Sequence, residues 1–388
     1  MTGLFEGVYS TPHTQELTGS EAWLRAMLEV ERALTVAAAR VGLAPQSAAA
    51  AVTAACRPES FNLDALGAGA ATEATPVIAL VARLRSLVGP EASPYVHLAA
   101  TSQDILDSAG ALVARSALGP VLDDCRAVSD TLAALALEHR STPQVGRTLL
   151  QSALVTTFGA ACGNRLTGVD DALAGLEAVL RDRLAVQLGG PVGTLAGAAD
   201  RAEQLIAAVA AELGLAEPVT PWHTARGRVA ELAAACGILA GELAAVAQDV
   251  VLLSATELAE VEVATPGGSS AIPKKRNPAA AVLAVACAHR MPGLVATVLA
   301  GMPQELQRSA GRWQAEWGTL TEIVRLLAGT ARHTRTALDG LRVDADRMHA
   351  HVDALVATGT VGGFGAAETF VDRALAAHAA RTRPEGRP

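Results

Sequence analysis

Residues 267–278 read Gly-Gly-Ser-Ser-Ala-Ile-Pro-Lys-Lys-Arg-Asn-Pro. They follow neither the helical period nor strand alternation, and Gly267, Gly268, Pro273 and Pro278 punctuate them as a loop. Long alanine-rich helical patterns flank it, at 224–260 and 278–302. The loop gathers two hydroxyls, two ammonium groups, a guanidinium and an amide. Lys274 and Lys275 are the only lysines in the chain; all other Lys/Arg positions are arginine. A lysine offers a compact ammonium on a flexible stem where arginine offers a planar fork. Two readings fit these residues. One is a solvated turn with a charge run; the other is a mobile loop that binds an anion and moves a proton.

The chain has 388 residues, enough for a sizeable core and for two or three domains. It is 51% hydrophobic but only 3% aromatic, and its bulk is alanine and leucine, both helix formers. The net charge is −8 with no basic tail or stripe, which argues against a nucleic-acid partner. The start, Met-Thr-Gly-Leu-Phe-Glu, lacks the charged and apolar regions of a signal peptide. No uncharged apolar run reaches the roughly 18 residues that span a membrane, so no membrane association is expected. Cys56, Cys125, Cys162, Cys236 and Cys287 are scattered and form no C-x-x-C pair, as expected of reduced core thiols in a cytoplasmic protein. No metal-ligand spacing and no cofactor motif appears.

Helical spacing dominates the chain. Ser20 is placed to cap a helix over about Glu21 to Val41, with Leu24, Met27, Leu28, Glu31, Leu34 and Ala38 on one face and Gly42 at its end. Further helices are expected after Pro45 and after Thr75-Pro76, the latter ending near Gly89-Pro90. From Ser102 to Arg140 the pattern is helical, with a break expected at Gly119-Pro120. Helical patterns follow at 156–187, 198–214, 224–260, 278–302 and 313–341, then one or two short helices and a polar tail from Arg381 to Pro388. Gly359, Gly362, Gly363 and Gly365 make 359–365 loop-like. The expected division is a helical domain over 1–100, a long-helix bundle over 101–341 and a short helical region over 342–388. Helices this long, apolar on more than one face, are expected to bury surface against other subunits.

Four further clusters carry polar chemistry. His97 lies ahead of Thr101, Ser102, Gln103 and Asp104, which open a long helix. They read as an N-cap with a first-turn acid, or as a helix terminus that binds a carboxylate. Gly146 to Ser152, with Arg147, Thr148 and Gln151, reads as a polar connection ahead of the helix at 156 or as a pocket wall. Pro221-Trp222-His223-Thr224-Ala225-Arg226 starts the longest helix, where a lone histidine is more often structural. Trp313, Glu316 and Trp317 share a helix face, and core packing is the expectation there.

The 267–278 loop resembles the G-S-S-x-M-P-x-K-x-N-P signature of the fumarase/aspartase superfamily, with Ile272 in place of methionine. The other clusters resemble blocks of bacterial 3-carboxy-cis,cis-muconate cycloisomerases: H-x-x-A-T-S-Q-D-I-x-D-x-A at 97, G-R-T-x-x-Q at 146, Q-x-G-G-x-x-G-T-L-A at 187, P-W-H-T-x-R at 221 and W-H-A-E-W at 313. The resemblance covers about 4–341. It implies a mainly α fold, a long-helix central bundle of the fumarase/aspartase type with a small N-terminal helical domain and a shortened C-terminal region. It also implies a homotetramer whose sites draw blocks from different subunits, a small polycarboxylate substrate, and no cofactor. The implied reaction is addition of a substrate carboxylate across a conjugated double bond, giving 4-carboxymuconolactone.

By the same resemblance Ser269, Ser270 and Lys275 carry the chemistry, with Ser269 transferring the proton. His97, Thr101, Ser102, Gln103, Arg147, Thr148, Gln151, His223, Arg226, Arg276 and Asn277 bind substrate. The chain departs from its relatives at Leu149 and Ser152, where histidines are usual, at Lys274 and Gln314, which also replace histidines, and in ending early. The departures at 149, 152 and 274 motivate a second expectation, another lyase of this fold acting on a succinyl compound. The lost histidines and the early end motivate a third, a non-catalytic paralogue.

Overall fold

A computed structural model describes residues 3–360 and 363–382. Residues 361–362 of the expected loop and 383–388 of the expected tail lie outside the described residues. The chain is mainly helical. Its centre is a bundle of long helices, Ser102–Glu138, Phe158–Asp182, Gly227–Leu253, Ala279–His289 with Met291–Ala300, and Arg312–Leu338.

The Ser20–Arg40 helix shows how the sequence sets these elements. Leu24, Met27, Leu28, Glu31, Leu34 and Ala38 are all buried on one face. Gly19, one residue earlier than expected, is the N-cap. Past the last turn Gly42 takes φ +79, Gly42 N–H donates to Ala39 O at 3.2 Å and Leu43 N–H to Ala38 O at 2.8 Å. That is a Schellman closure, which a side chain at Gly42 would strain.

The bundle helices pack side by side through small residues. Ala109, Ala117, Ala233, Ala240 and Ala247 are fully buried, so helix axes approach closely, and Leu166, Leu176, Leu239 and Leu243 fill the space between them. Each such leucine contributes roughly 1.5–3 kcal/mol by burial, so Leu239→Ala should cost about 2–5 kcal/mol.

Two sequence expectations need correction. The Ser102–Glu138 helix runs through Pro120 without a break. Proline costs about 3 kcal/mol in a helix interior, but Ala117, Leu118, Val121 and Leu122 around it are all buried in the bundle. Packing outweighs the local penalty. Residues 143–157 form an antiparallel hairpin, Pro143–Thr148 paired with Gln151–Thr157, where a polar connection was expected. Its two-residue turn is Leu149-Leu150, with φ of 52 and 63. Positive φ at both positions is the mirror-image turn that matches strand twist, normally supplied by asparagine or glycine.

Three helices among the described residues stand out for their apolar length. Ser102–Glu138, Gly227–Leu253 and Ala279–Ala300 are long and apolar enough to cross one by length and composition, although each contains charges. The most apolar windows of the first two are 61% and 56% buried within the chain, whereas that of the third is only 28% buried. Val282 and Leu299 on it, and Ile238 on the neighbouring Gly227–Leu253 helix, are exposed.

Candidate active site

The candidate residues form two groups. The first surrounds the start of the Ser102–Glu138 helix. Thr101 and Asp104 make a capping box there, with Thr101 N–H donating to Asp104 Oδ2 at 3.0 Å. Asp104 is fully buried. It also accepts from Gly189 N–H at 3.0 Å and Gly190 N–H at 2.9 Å, and its Oδ1 lies 2.6 Å from His223 Nε2. Glycine is required at this turn: Gly190 has φ +69, and a Cβ on Gly189 would come within 2.7 Å of His223 Cε1. Thr101 and Ser102 remain half-exposed above this buried carboxylate.

Below them, Gln103 donates to His223 O at 2.9 Å and accepts from Arg308 Nη1 at 3.1 Å. Arg308 Nη2 donates to Gly190 O at 2.8 Å. Arg226 is buried between two carboxylates. It forks onto Asp107 at 2.8 and 3.1 Å and reaches Glu316 at 2.5 and 3.1 Å, with its guanidinium over the Trp222 ring. Trp313 Nε1 donates to Asp107 at 3.0 Å. Trp313 and Glu316 are buried, and Trp317 is half-buried and packed against the core, as their spacing predicts.

His97 has φ 62, and its Nδ1 lies 2.6 Å from Oε1 of the fully buried Glu31. Burial pulls the His97 pKa down, but the Glu31 carboxylate more than reverses this and leaves it raised.

The second group lies at the root of the signature loop. Gly267 and Asn277 exchange backbone hydrogen bonds at 2.8 and 2.9 Å, and Asn277 Nδ2 donates to Gly268 O at 2.8 Å. The neck is thus closed, and residues 268–276 arch into solvent. Ser269 Oγ accepts from the N–H groups of Ile272 at 3.0 Å and Ala271 at 3.3 Å. N–H donors aimed at this oxygen favour negative charge on it. Ser270 and Lys275 are exposed, as is Lys274, which has φ 68. Arg276 pairs with Glu262 at 2.8 Å. Next to Glu262, the fully buried Glu260 takes both arms of Arg147, at 2.6 and 3.2 Å. Thr148 and Gln151 flank the hairpin turn and are exposed with it.

The expected site residues differ in their exposure. Gln103, His223 and Arg226 are buried, with polar contacts to neighbouring protein groups beneath the Thr101–Ser102 terminus. Arg147 and Arg276 are likewise engaged by Glu260 and Glu262. Thr101, Ser102, Thr148, Gln151, Ser269, Ser270 and Lys275 are open at least in part, and Asn277 holds the loop neck. Among the described residues no hydrogen bond or ion pair joins the two groups. Sequence reasoning missed Asp107, Glu260 and Arg308, and it placed Glu31 on the buried face without its partner His97. Their one signal was a charge inside an apolar helical face or strand run, as at Glu31; the partner was not legible.

The chain is similar to known proteins in sequence and in fold. Residues 8–293 match the family model described as Lyase. The 3-carboxy-cis,cis-muconate cycloisomerase of Pseudomonas putida is 41% identical over 366 residues, covering 90% of this chain and 84% of that protein. The nitrosuccinate lyase of Streptomyces davaonensis is 42% identical over 366 residues, covering 91% and 77%. The crystal structure of the 3-carboxy-cis,cis-muconate lactonizing enzyme from Pseudomonas putida superimposes with a TM-score of 0.86 at 36% identity, covering 98% of this chain and 89% of that one. In sequence and in fold, the chain belongs to this lyase family, the fumarase/aspartase superfamily.

Proposed function

We propose that the protein is a 3-carboxy-cis,cis-muconate cycloisomerase, acting in aromatic-acid breakdown through protocatechuate. The observation that carries this reading is the signature loop. Its neck is closed by Gly267 and Asn277, its Ser269 oxygen is held by two N–H groups, and its two lysines stand free in solvent. A carboxylate oxygen of the substrate forms a C–O bond to the conjugated alkene. Negative charge passes to the carboxylate conjugated with it, and a proton is delivered to the adjacent carbon. The substrate supplies the nucleophile. The protein holds a near-attack shape, stabilises the enolate-like charge with Lys275, and moves the proton through Ser269. Thr101, Ser102, Thr148 and Gln151 orient the remaining carboxylates, and Ser270 and Asn277 shape the loop that closes over them.

This reading includes a homotetramer with shared sites in the cytoplasm. That no hydrogen bond or ion pair joins the two residue groups among the described residues supports sharing. The exposed Ile238, Val282 and Leu299 on long bundle helices support burial against further copies. Five cysteines without a disulfide fit a reducing compartment.

The nitrosuccinate lyase relative supports a second reading, β-elimination from a succinyl compound, because Leu149 and Ser152 leave the hairpin without histidine. Proton NMR of the purified protein with each substrate separates the two. Lactone signals from 3-carboxymuconate support the first; fumarate with nitrite from nitrosuccinate, and no lactone, supports the second.

A further inference from the structure

We propose that Glu260 is a positioning residue for the reaction, fixing the Thr148–Gln151 hairpin against the root of the signature loop. The inference rests on the proposed site, to which that hairpin and loop both contribute. Glu260 is fully buried, yet both its oxygens are engaged. Oε1 accepts from Arg147 Nη2 at 2.6 Å and lies 2.8 Å from His351 Nδ1; Oε2 accepts from Gln144 Nε2 at 3.1 Å and Arg147 Nη1 at 3.2 Å. Gln144 and Arg147 belong to the first hairpin strand, and His351 to the Ala345–Val356 helix.

The backbone of the same short segment reaches the loop. Val261–Glu262 pairs with Arg342–Val343, Asp344 N–H donates to Glu260 O at 2.9 Å, and Glu262 holds Arg276 of the loop at 2.8 Å. Three adjacent residues therefore tie together the hairpin, the Ala345–Val356 helix and the loop. Burial alone would raise the Glu260 pKa, but its hydrogen bonds to Arg147, His351 and Gln144 outweigh that and keep it below the usual range, hence ionised.

The hairpin needs this anchor. Its turn places Leu149 and Leu150 at positive φ with both side chains exposed, so the turn itself supplies no packing. Backbone strain of this kind persists where surrounding structure imposes it. Arg147, directly before Thr148, is the first strand's last charged anchor. A fork onto a fixed carboxylate sets its orientation as a single ammonium cannot.

The test compares wild type with Glu260→Gln by hydrogen–deuterium exchange, thermal melting and steady-state kinetics. Arg147→Lys serves as a second variant should the first fail to fold. Expected are faster amide exchange confined to 143–157, a kcat lowered roughly 10- to 100-fold as for a misplaced positioning group, a KM changed far less, and a small Tm shift. Arg147→Lys should move the same readouts in the same direction, but less. Unchanged exchange and kinetics would overturn the proposal. So would faster exchange across the whole bundle with a collapse of Tm, which marks Glu260 as structural only. The exchange readout needs no substrate. A wild type inactive on 3-carboxymuconate would therefore count against the proposed reaction, while hairpin exchange would still decide the role of Glu260.

Discussion

His223 Nε2 lies 2.6 Å from Asp104 Oδ1, and both side chains are buried beneath the Thr101–Ser102 helix terminus. Residues 119 positions apart are thereby joined. The same carboxylate takes three backbone N–H groups, so one side chain fixes the helix start, the glycine turn and the His223 ring together. Asp104→Ala leaves all four donors without this acceptor. The expected loss is about 3–5 kcal/mol of stability, read from urea denaturation. A loss below about 1 kcal/mol would show that water replaces the carboxylate.

Glu31 and His97 make stability depend on pH. Because Glu31 raises the His97 pKa in the folded chain, folding favours the imidazolium. This contribution is full below the unfolded value of about 6.5 and is lost as pH rises through the raised folded value. His139 and His333, both lowered by burial, titrate with the opposite sign. Comparing wild type with Glu31→Gln separates the pair from them. The stability advantage of wild type should be full below about pH 6.5 and shrink as pH rises through the raised His97 value. An advantage that is flat with pH would contradict the pairing.

Helices and their ends were legible because period and caps are local. Leu24 to Ala38 at helical spacing, and Gly42 behind them, specify one helix with no distant information. The loop at 267–278 was legible because glycine and proline mark it. Glu31 was counted correctly on the buried face, but His97, its partner, lies 66 residues away and no local rule connects them. The hairpin was missed because Leu149-Leu150 carries none of the turn residues that announce positive φ. Pro120 misled because tertiary packing on both sides overrides a local cost.

Lys274 and Lys275 give the loop a direct probe. Both are exposed, and the chain has no other lysine. A lysine-specific protease should nick the folded protein only in this loop, giving two large fragments on a denaturing gel. A polycarboxylate that closes the loop should slow the cut. Cleavage unaffected by saturating substrate would argue that the loop does not close over the site.

The proposed sharing of sites between subunits predicts complementation. Ser102→Ala damages the first residue group and Lys275→Ala the second. Co-expressed in one cell, they should form mixed copies of the proposed tetramer with about a quarter of sites intact. Activity above that of either variant alone is expected. No recovery in confirmed mixed tetramers would place both groups of each site on one chain.

The most direct measurement follows the ultraviolet absorbance of 3-carboxy-cis,cis-muconate with purified protein. Lactone formation breaks the diene conjugation, so the band should fall with wild type and persist with Ser269→Ala, which lies on an exposed loop and should leave the fold intact. A band that stays constant with wild-type protein would contradict the proposed reaction. An equal fall with Ser269→Ala would contradict the role given to the loop.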